Sequence, residues 1–543
     1  MTANQPRTVA WTEWIEAARH QMACEEDSGE YGQRSGLAKR SDGSSGLQVT
    51  FIPLDRLFTH LGSVSSPSGG FRMSATEILP RIIQGGMGAA VSGWRLARAV
   101  ALRGQMGVVS GTGIDTVFVR RLQDGDPGGH LRRAMAAFPI PRVAEAAQAK
   151  YFRPGGRPDG TPYAMIPMHR LGMPIRQQEL LILAGFAEVW LAKEGHAGEI
   201  GINLLTKIQL PTLATLYGAM LAGVGWVLMG AGIPREIPAA LDQLALHQPA
   251  ALKLDIDGPA PADPVMITFE PAACWDALPP PLTRPRFLAI VASNSLATVL
   301  ARKASGKVDG FVIEGPTAGG HNAPPRGRPE LNDIGEPIYG PRDVVDYTQV
   351  SALGLPFWIA GGAGSPDGLV AALAIGAAGI QVGTMFAYAE ESGFDAAIRS
   401  SVLGAVARRE ATVYTDPKAS PTGYPFKVVH WPEEPVGDHP RNRNCDLGYL
   451  RVPYVKPDGG IGYRCAAEPE DQYVQKGGHL EDTIGRQCLC NGLLSVIGHA
   501  QIREGEAEPP LVTSGDDLLK MGGFLAGRDH YSADQVLDYL LRV

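Results

Sequence analysis

Positive charge is not in excess in this sequence. It has 49 Lys and Arg against 56 Asp and Glu, a formal net charge of −7, so it carries no electrostatic footprint for nucleic acid. No uninterrupted apolar run reaches the roughly 20 residues that a membrane-spanning helix needs. The opening residues Met1-Thr2-Ala3-Asn4-Gln5-Pro6 lack the basic lead and apolar stretch of a secretory signal. A cytoplasmic protein with neither membrane nor nucleic-acid partners is therefore expected. Cysteine is scarce: Cys24, Cys274, Cys445, Cys465, Cys488 and Cys490 are all there is. The spacing Cys488-Leu489-Cys490 differs from the paired C-x-x-C knuckles of zinc sites, so reduced thiols and no metal are expected. The phosphate-loop pattern G-x-x-x-x-G-K-[ST] is also missing.

Glycine and proline are abundant, at 67 and 43 residues. This fits many tight strand-to-helix turns and some long loops. Eight short apolar runs read as buried strands: 81–84, 106–109, 199–204, 225–229, 286–291, 310–313, 356–360 and 379–382. Their apolar, often β-branched character suits strands covered on both faces. Helical periodicity follows several of them, over 93–103, 211–222, 295–303, 341–353 and 367–375. Eight such units predict an α/β fold, a (β/α)8 TIM barrel, with a doubly wound open sheet as the alternative. The open sheet would keep its main glycine loop after the first strand, whereas here glycine turns follow nearly every strand.

The repeat is interrupted twice. Two large insertions are expected at about 113–197 and 236–284. The first begins with a largely helical stretch from Asp115 to Lys150; Met165 to Lys193 mixes short apolar runs. The second is β-rich over 250–268 and punctuated by proline. An N-terminal extension (1–77) and a C-terminal extension (431–543) flank a barrel over 78–430. In the N-terminal one, Trp11 to Met22 predicts an amphipathic helix, Glu25 to Gly46 an irregular link, and Phe51 to Leu61 an apolar segment packed on the barrel. In the C-terminal one, 492–500 and 532–541 predict helices, with His499 a structural histidine. This extension is expected to pack on the barrel.

Active sites of such barrels lie at the C-terminal ends of the strands, with phosphate sites after strands seven and eight. Gly361-Gly362 and Gly383-Thr384 stand there, and each also reads as an ordinary tight turn. Together they point to a phosphate-bearing ligand held by backbone N–H groups and a hydroxyl. Gln84, Asn203 and His321 fall at strand ends or just beyond, where polar groups converge; strand-end capping is the other reading of Gln84 and Asn203. Gly85-Gly86-Met87 and Gly319-Gly320 let the backbone approach a flat or anionic group. His321 can move a proton near neutral pH. Gln84, together with Asn322 and Arg326 just after His321, is a candidate substrate contact.

Four blocks in order resemble one family: Gln84-Gly85-Gly86-Met87-Gly88, Ala318-Gly319-Gly320-His321, Ala360-Gly361-Gly362 and Gln381-Val382-Gly383-Thr384-Met385-Phe386. It is the FMN-dependent nitronate monooxygenases (2-nitropropane dioxygenases), which share their barrel with FMN-dependent enoyl-acyl-carrier-protein reductases. The resemblance covers roughly 78–112, 198–235 and 285–430. Thr317 stands where the family often has an acidic residue, and the insertions and extensions have no counterpart in its shorter members. The resemblance implies FMN with its phosphate on Gly361, Gly362, Gly383 and Thr384 and its ring near Gly85, Gly86, Met87, Asn203 and Gln381. It makes His321 the base or proton donor. It also implies oxidation of an alkyl nitronate or similar activated carbon acid by O2, with Arg326 or backbone N–H groups stabilising the nitronate. The alternatives are an NAD(P)H-dependent enoyl-thioester reductase and a flavin-bearing partner subunit without catalysis. The partners to be expected are a small-molecule substrate, O2 or NAD(P)H, and a second copy of the chain or a carrier protein.

Overall fold

Eight of the apolar runs form the strands of one parallel sheet in the structure, a computed structural model that describes residues 79–258, 263–435 and 442–542. The strands are β1 (Ile82–Gln84), β2 (Gly107–Ser110), β3 (Ile200–Leu205), β4 (Trp226–Gly230), β5 (Arg286–Val291), β6 (Gly310–Glu314), β7 (Phe357–Ala360) and β8 (Gly379–Val382). Each pairs in parallel with its sequence neighbour from β2 through to β8, and β8 pairs with β1. The seam between β1 and β2 closes through Gln84 N–H to Met106 O at 2.9 Å and Met106 N–H to Ile82 O at 3.1 Å. The sheet is thus a (β/α)8 barrel. The segments expected over Trp11 to Met22, Glu25 to Gly46 and Phe51 to Leu61, with Cys24, lie outside the described residues.

Most connections follow the sequence pattern, with helices at Trp94–Leu102, Thr212–Leu221, Asn294–Lys303 and Pro366–Ala374. The mixed apolar runs expected over Met165 to Lys193 are instead a loop followed by one 19-residue helix, Ile175–Lys193. Its apolar residues go all the way round, because its flanks are covered by the preceding helices at Ile114–Gln123, His130–Ala136 and Pro141–Tyr151 and by Thr212–Leu221. A helix apolar on every face shows no amphipathic stripe, which is the signal sequence reading depends on. A helix at Ile237–Ala245 also went unread. The expected 341–353 helix shrinks to a 3₁₀ turn, Pro341–Asp343, and one short helix, Tyr347–Ser351. In the second interruption Ala250–Lys253 and Met266–Phe269 pair as an antiparallel hairpin.

Two hairpins follow the barrel, Thr412–Asp416 with Phe426–His430 and Val452–Val455 with Ile461–Arg464. The helix expected over 492–500 runs over Leu489–Ser495 instead, and Gly498 lies beyond its end in a left-handed conformation at φ +75°. The last helix, Ala533–Leu540, starts at a Ser532 cap whose hydroxyl accepts from Gln535 N–H. A small apolar cluster joins the barrel mouth to this C-terminal part: Ile208 and Phe426 pack with Leu447, Leu450, Leu489 and Leu511. No helix among the described residues is long and apolar enough to cross a membrane.

Close approach of two helices fixes the first insertion to the barrel. A Cβ at Gly218 would lie 2.0 Å from Ile182 O, and one at Gly185 would lie 2.6 Å from Thr215 O. Both obstacles are backbone, so neither can swing aside. Gly218→Ala is expected to lower unfolding stability by about 1–3 kcal/mol, the usual range for overpacking, read from urea denaturation.

Candidate active site

The C-terminal ends of the strands open on a cavity of about 220 Å3. β1 delivers Gly85, Gly86 and Met87 to it; β3, Asn203; β6, Glu314 and the loop Thr317 to His321; β7, Gly361 and Gly362; β8, Gln381, Gly383 and Thr384. These include all the glycines named from the sequence as cofactor contacts, with Met87, Asn203, Gln381, Thr384 and His321.

The first turn is held by a hydrogen-bond knot around Ser92. Its hydroxyl donates to Gly85 O at 2.8 Å and accepts from Met87 N–H at 2.9 Å and from the Gln84 amide at 2.8 Å. Above this turn a Cβ on Gly86 would meet Asn203 Cβ at 2.2 Å, so only glycine lets the turn lie against β3. The amide oxygens of Asn203 and Gln381 are buried and have no hydrogen-bond partner. Buried amide oxygens rarely go unpaired, and both belong to residues that line the cavity.

At the far end, Gly361 and Gly362 hold φ +83° and +77°, the left-handed region that favours glycine. Thr384 Oγ1 accepts from Gly515 N–H at 3.0 Å, and Asp517 Oδ2 accepts from Gly364 N–H at 3.3 Å. Burial pushes the Asp517 carboxyl up. This end therefore offers backbone and a hydroxyl to an anion, with one carboxyl beside them.

His321 Nε2 lies 2.7 Å from Ser420 Oγ, and its ring meets Phe426 edge-on at 4.9 Å. Burial, with a smaller contribution from the Lys207 charge, lowers its pKa to about 4. The imidazole is neutral at physiological pH. Lys207 itself sits over the Tyr424 ring at 4.0 Å. Glu314, at the end of β6, is pushed up to about 8 by burial. No Lys or Arg lines the cavity among the described residues; the acidic residues of its lining are Glu314 and Asp517.

Three residues expected to meet substrate do not reach this cavity. Gln84 is fully buried in the β1–β2 seam, where its amide accepts from Val108 N–H at 3.1 Å and donates to Ser92 Oγ and Gly85 O. Asn322 is buried beneath the loop and donates to Ala318 O at 3.0 Å. The Arg326 guanidinium donates to Arg342 O at 2.8 Å and Ala292 O at 3.0 Å, beside a separate shallow pocket. Backbone carbonyls claim this cation, so it does not bring charge to the mouth.

The C-terminal part supplies walls that sequence reading missed. Leu489, Leu493, Leu494 and Leu511 give an aliphatic face, and Thr513 to Gly515 run along the glycine loops. Thr513 Oγ1 accepts from Gly320 N–H at 2.9 Å. Tyr449 closes one side. Its hydroxyl donates to Asp115 Oδ1 at 2.5 Å, and Asp115 Oδ2 lies 2.9 Å from His169 Nε2. Burial and the Asp115 charge raise the Tyr449 hydroxyl well above its ordinary range. Burial works against the Asp115 carboxylate, but the His169 charge and hydrogen bond outweigh it and hold its pKa down. His499, read as structural, lies 3.1 Å from Asp124 Oδ2, away from the cavity lining.

The depressed His321 pKa fixes a sign. The unfolded chain protonates this ring near the ordinary histidine value of 6.5 and the folded chain at about 4. Between these values the unfolded state binds more protons, so this histidine costs stability as pH falls. His321→Gln is expected to flatten the fall in stability between pH 6.5 and pH 4, read from urea denaturation across that window.

A family model described as Nitronate monooxygenase matches residues 278–419, the stretch that carries β5 to β8 and His321. No curated protein matches the chain. Among solved structures, FabK from Thermotoga maritima is similar at 16% identity and TM-score 0.42, covering 86% of this chain and 92% of that one. Nitroalkane oxidase from Streptomyces ansochromogenes is similar at 14% and 0.38, covering 85% and 94%. The enoyl reductase domain of MlnA from the macrolactin cluster of Bacillus amyloliquefaciens stands at 12% and 0.32, covering 64% and 63%. The barrel topology rests on the strand order above and not on these scores. The site suits a flavin on its own terms: unpaired amide oxygens at Asn203 and Gln381, a flat glycine turn, and a left-handed glycine pair at the other end. Over residues 278–419 the chain is similar to the nitronate monooxygenase family.

Proposed function

We propose that the protein reduces the carbon–carbon double bond of a neutral, apolar enoyl thioester, with NAD(P)H as electron donor. The observation that carries this reading is the cavity wall. Six leucines face it, and no Lys or Arg among the described residues does. An anionic substrate entering there would lose its hydration with no cation in the lining to replace it. A neutral acyl chain gains from the same wall, at about 25 cal/mol per Å2 of apolar surface covered.

In this reading Gly361, Gly362, Gly383 and Thr384 would hold the FMN phosphate, and Gly85, Gly86, Met87, Asn203 and Gln381 would hold its ring. Bound there, FMN supplies two-electron exchange between a nicotinamide and a carbon–carbon double bond. Gly319 and Gly320 bring His321 beside the reacting end of the substrate. In the tautomer in which Ser420 donates to Nε2, His321 Nδ1–H is a neutral donor for the thioester carbonyl oxygen. A neutral imidazole can stabilise charge building on that oxygen without transferring its own proton. The hydride equivalent drawn from NAD(P)H goes to the β-carbon and a proton from solvent to the α-carbon, which gives the saturated thioester and NAD(P)+.

A second reading keeps the carbon-acid chemistry of the family description. A neutral His321 can equally accept a carbon proton, so an uncharged nitroalkane, oxidised at the expense of O2, also suits it. The nitronate anion suits the wall less, because Arg326 is engaged elsewhere.

Anaerobic flavin bleaching separates the two. Rapid bleaching of the yellow protein by NADPH or NADH, followed by reoxidation with an enoyl thioester, is the expected result. Bleaching by a nitroalkane alone would replace this reading with the second. In either case His321→Ala is expected to lower kcat by about 10²–10³, the usual loss for one charge-stabilising group, with flavin content unchanged by absorbance.

A further inference from the structure

Reduction of a double bond needs a proton at the α-carbon as well as a hydride at the β-carbon. Among the described residues, the titratable side chains that line the cavity are Glu314, His321, Tyr449, Cys490 and Asp517. Four of them are committed elsewhere. His321 holds Nε2 at 2.7 Å from Ser420 Oγ and, in the reading above, turns Nδ1–H to the thioester oxygen. Tyr449 donates its hydroxyl proton to Asp115 Oδ1 at 2.5 Å. Asp517 lies at the far end, where it accepts from Gly364 N–H. Burial pushes the Cys490 thiol well above its ordinary range, so it keeps its proton.

Glu314 is the one left over, and the barrel aims it at the site. Successive residues of a strand face opposite ways. On β6, Phe311 and Ile313 belong to the large core cluster that also holds the helix residues Leu300 and Leu369. Val312 is fully buried yet outside that cluster, so it and Glu314 share the face turned to the barrel interior. Register places Glu314 beside Ala360 of β7, and Ala360 beside Gln381 of β8. All three line the cavity. On that row only the Ala360 methyl stands between Glu314 and Gln381, whose buried amide oxygen has no partner. The Glu314 carboxyl has no hydrogen-bond or ion-pair partner among the described residues either.

Glu314 also borders a second space. The shallow pocket of about 30 Å3 beside Arg326, Tyr339 and Asp343 has Glu314 in its wall, and among the described residues Glu314 alone belongs to both linings. The pocket has room for a water or two, and the exposed Arg326 side chain brings it to solvent. The charged groups there are engaged with each other and with backbone. Arg326 donates to Arg342 O and Ala292 O, and Asp343 accepts from Arg326 N–H at 2.9 Å and Gly340 N–H at 2.8 Å. On the cavity side the other titratable groups are the four above. Burial is what moves the Glu314 carboxyl up to about 8, so it carries its proton at neutral pH.

We propose that Glu314 is the acid that protonates the α-carbon, and that it is recharged by water in the pocket beside Arg326. This rests on the enoyl-reductase reading. Once the hydride equivalent from NAD(P)H is on the β-carbon, the substrate is an enolate. Its electron pair forms the new bond from the α-carbon to hydrogen as the Glu314 O–H bond breaks, and the O–H pair stays on the carboxylate. The carboxylate then takes its next proton from solvent. One hydride and one proton are consumed for each double bond.

Anaerobic stopped-flow on the flavin-loaded protein separates the half-reactions, with NADPH as donor and the trans-2-octenoyl thioester of N-acetylcysteamine as acceptor. Glu314→Gln is expected to bleach at the wild-type rate and to reoxidise about 10²-fold more slowly, the usual loss for a general acid. Glu314→Asp is expected to recover part of that loss. Wild-type reoxidation is expected to fall as pH rises through about 8, with no such fall in Glu314→Gln. A glutamine variant reoxidised at the wild-type rate, an equal slowing of both half-reactions, or a wild-type rate level from pH 7 to 9 would overturn the proposal alone. A bleached wild-type protein that the thioester does not reoxidise would overturn the enoyl reading itself, and the proposal with it.

Discussion

A buried amide completes the closure of the barrel. β1 and β2 meet over a single bridge, Ile83 with Met106, where every other neighbouring pair has a ladder. The Gln84 side chain fills the remaining gap, accepting from Val108 N–H and donating to Ser92 Oγ and Gly85 O. Ser92 in turn shapes the glycine turn that faces the cavity. A fully satisfied buried network of this kind fixes one arrangement, because any loosening leaves polar groups unpaired in an apolar seam. The residue read as a substrate contact is thus what lets the other contacts exist.

From that seam the site is assembled in two layers. The strand ends give the polar, glycine-lined floor, and the C-terminal part gives the apolar roof. The floor sets what cofactor can lie there; the roof sets the charge and shape of what reaches it. The matched segment 278–419 carries the floor residues of β6, β7 and β8 and none of the leucines that face the cavity.

The strands were legible because parallel strands covered on both faces must be continuous apolar runs, and each ends in a turn that glycine marks. The floor residues were legible for the same reason: they sit within a few positions of those turns. The Ile175–Lys193 helix was not, since burial on every side erases the periodic stripe. Nor was Arg326, whose proximity to His321 in sequence says nothing about the carbonyls of Arg342 and Ala292 that capture it. The roof was the least readable part. Leu489, Leu511 and Tyr449 are ordinary apolar and aromatic positions until the fold carries them across the mouth.

The run Thr513 to Asp517 lies across the glycine loops of β6, β7 and β8, bonded to Gly320, Thr384 and Gly364. The glycine loops of the floor are therefore tied to a segment more than a hundred residues downstream of them, so a change in that segment can shift the floor of the cavity with every barrel strand unaltered.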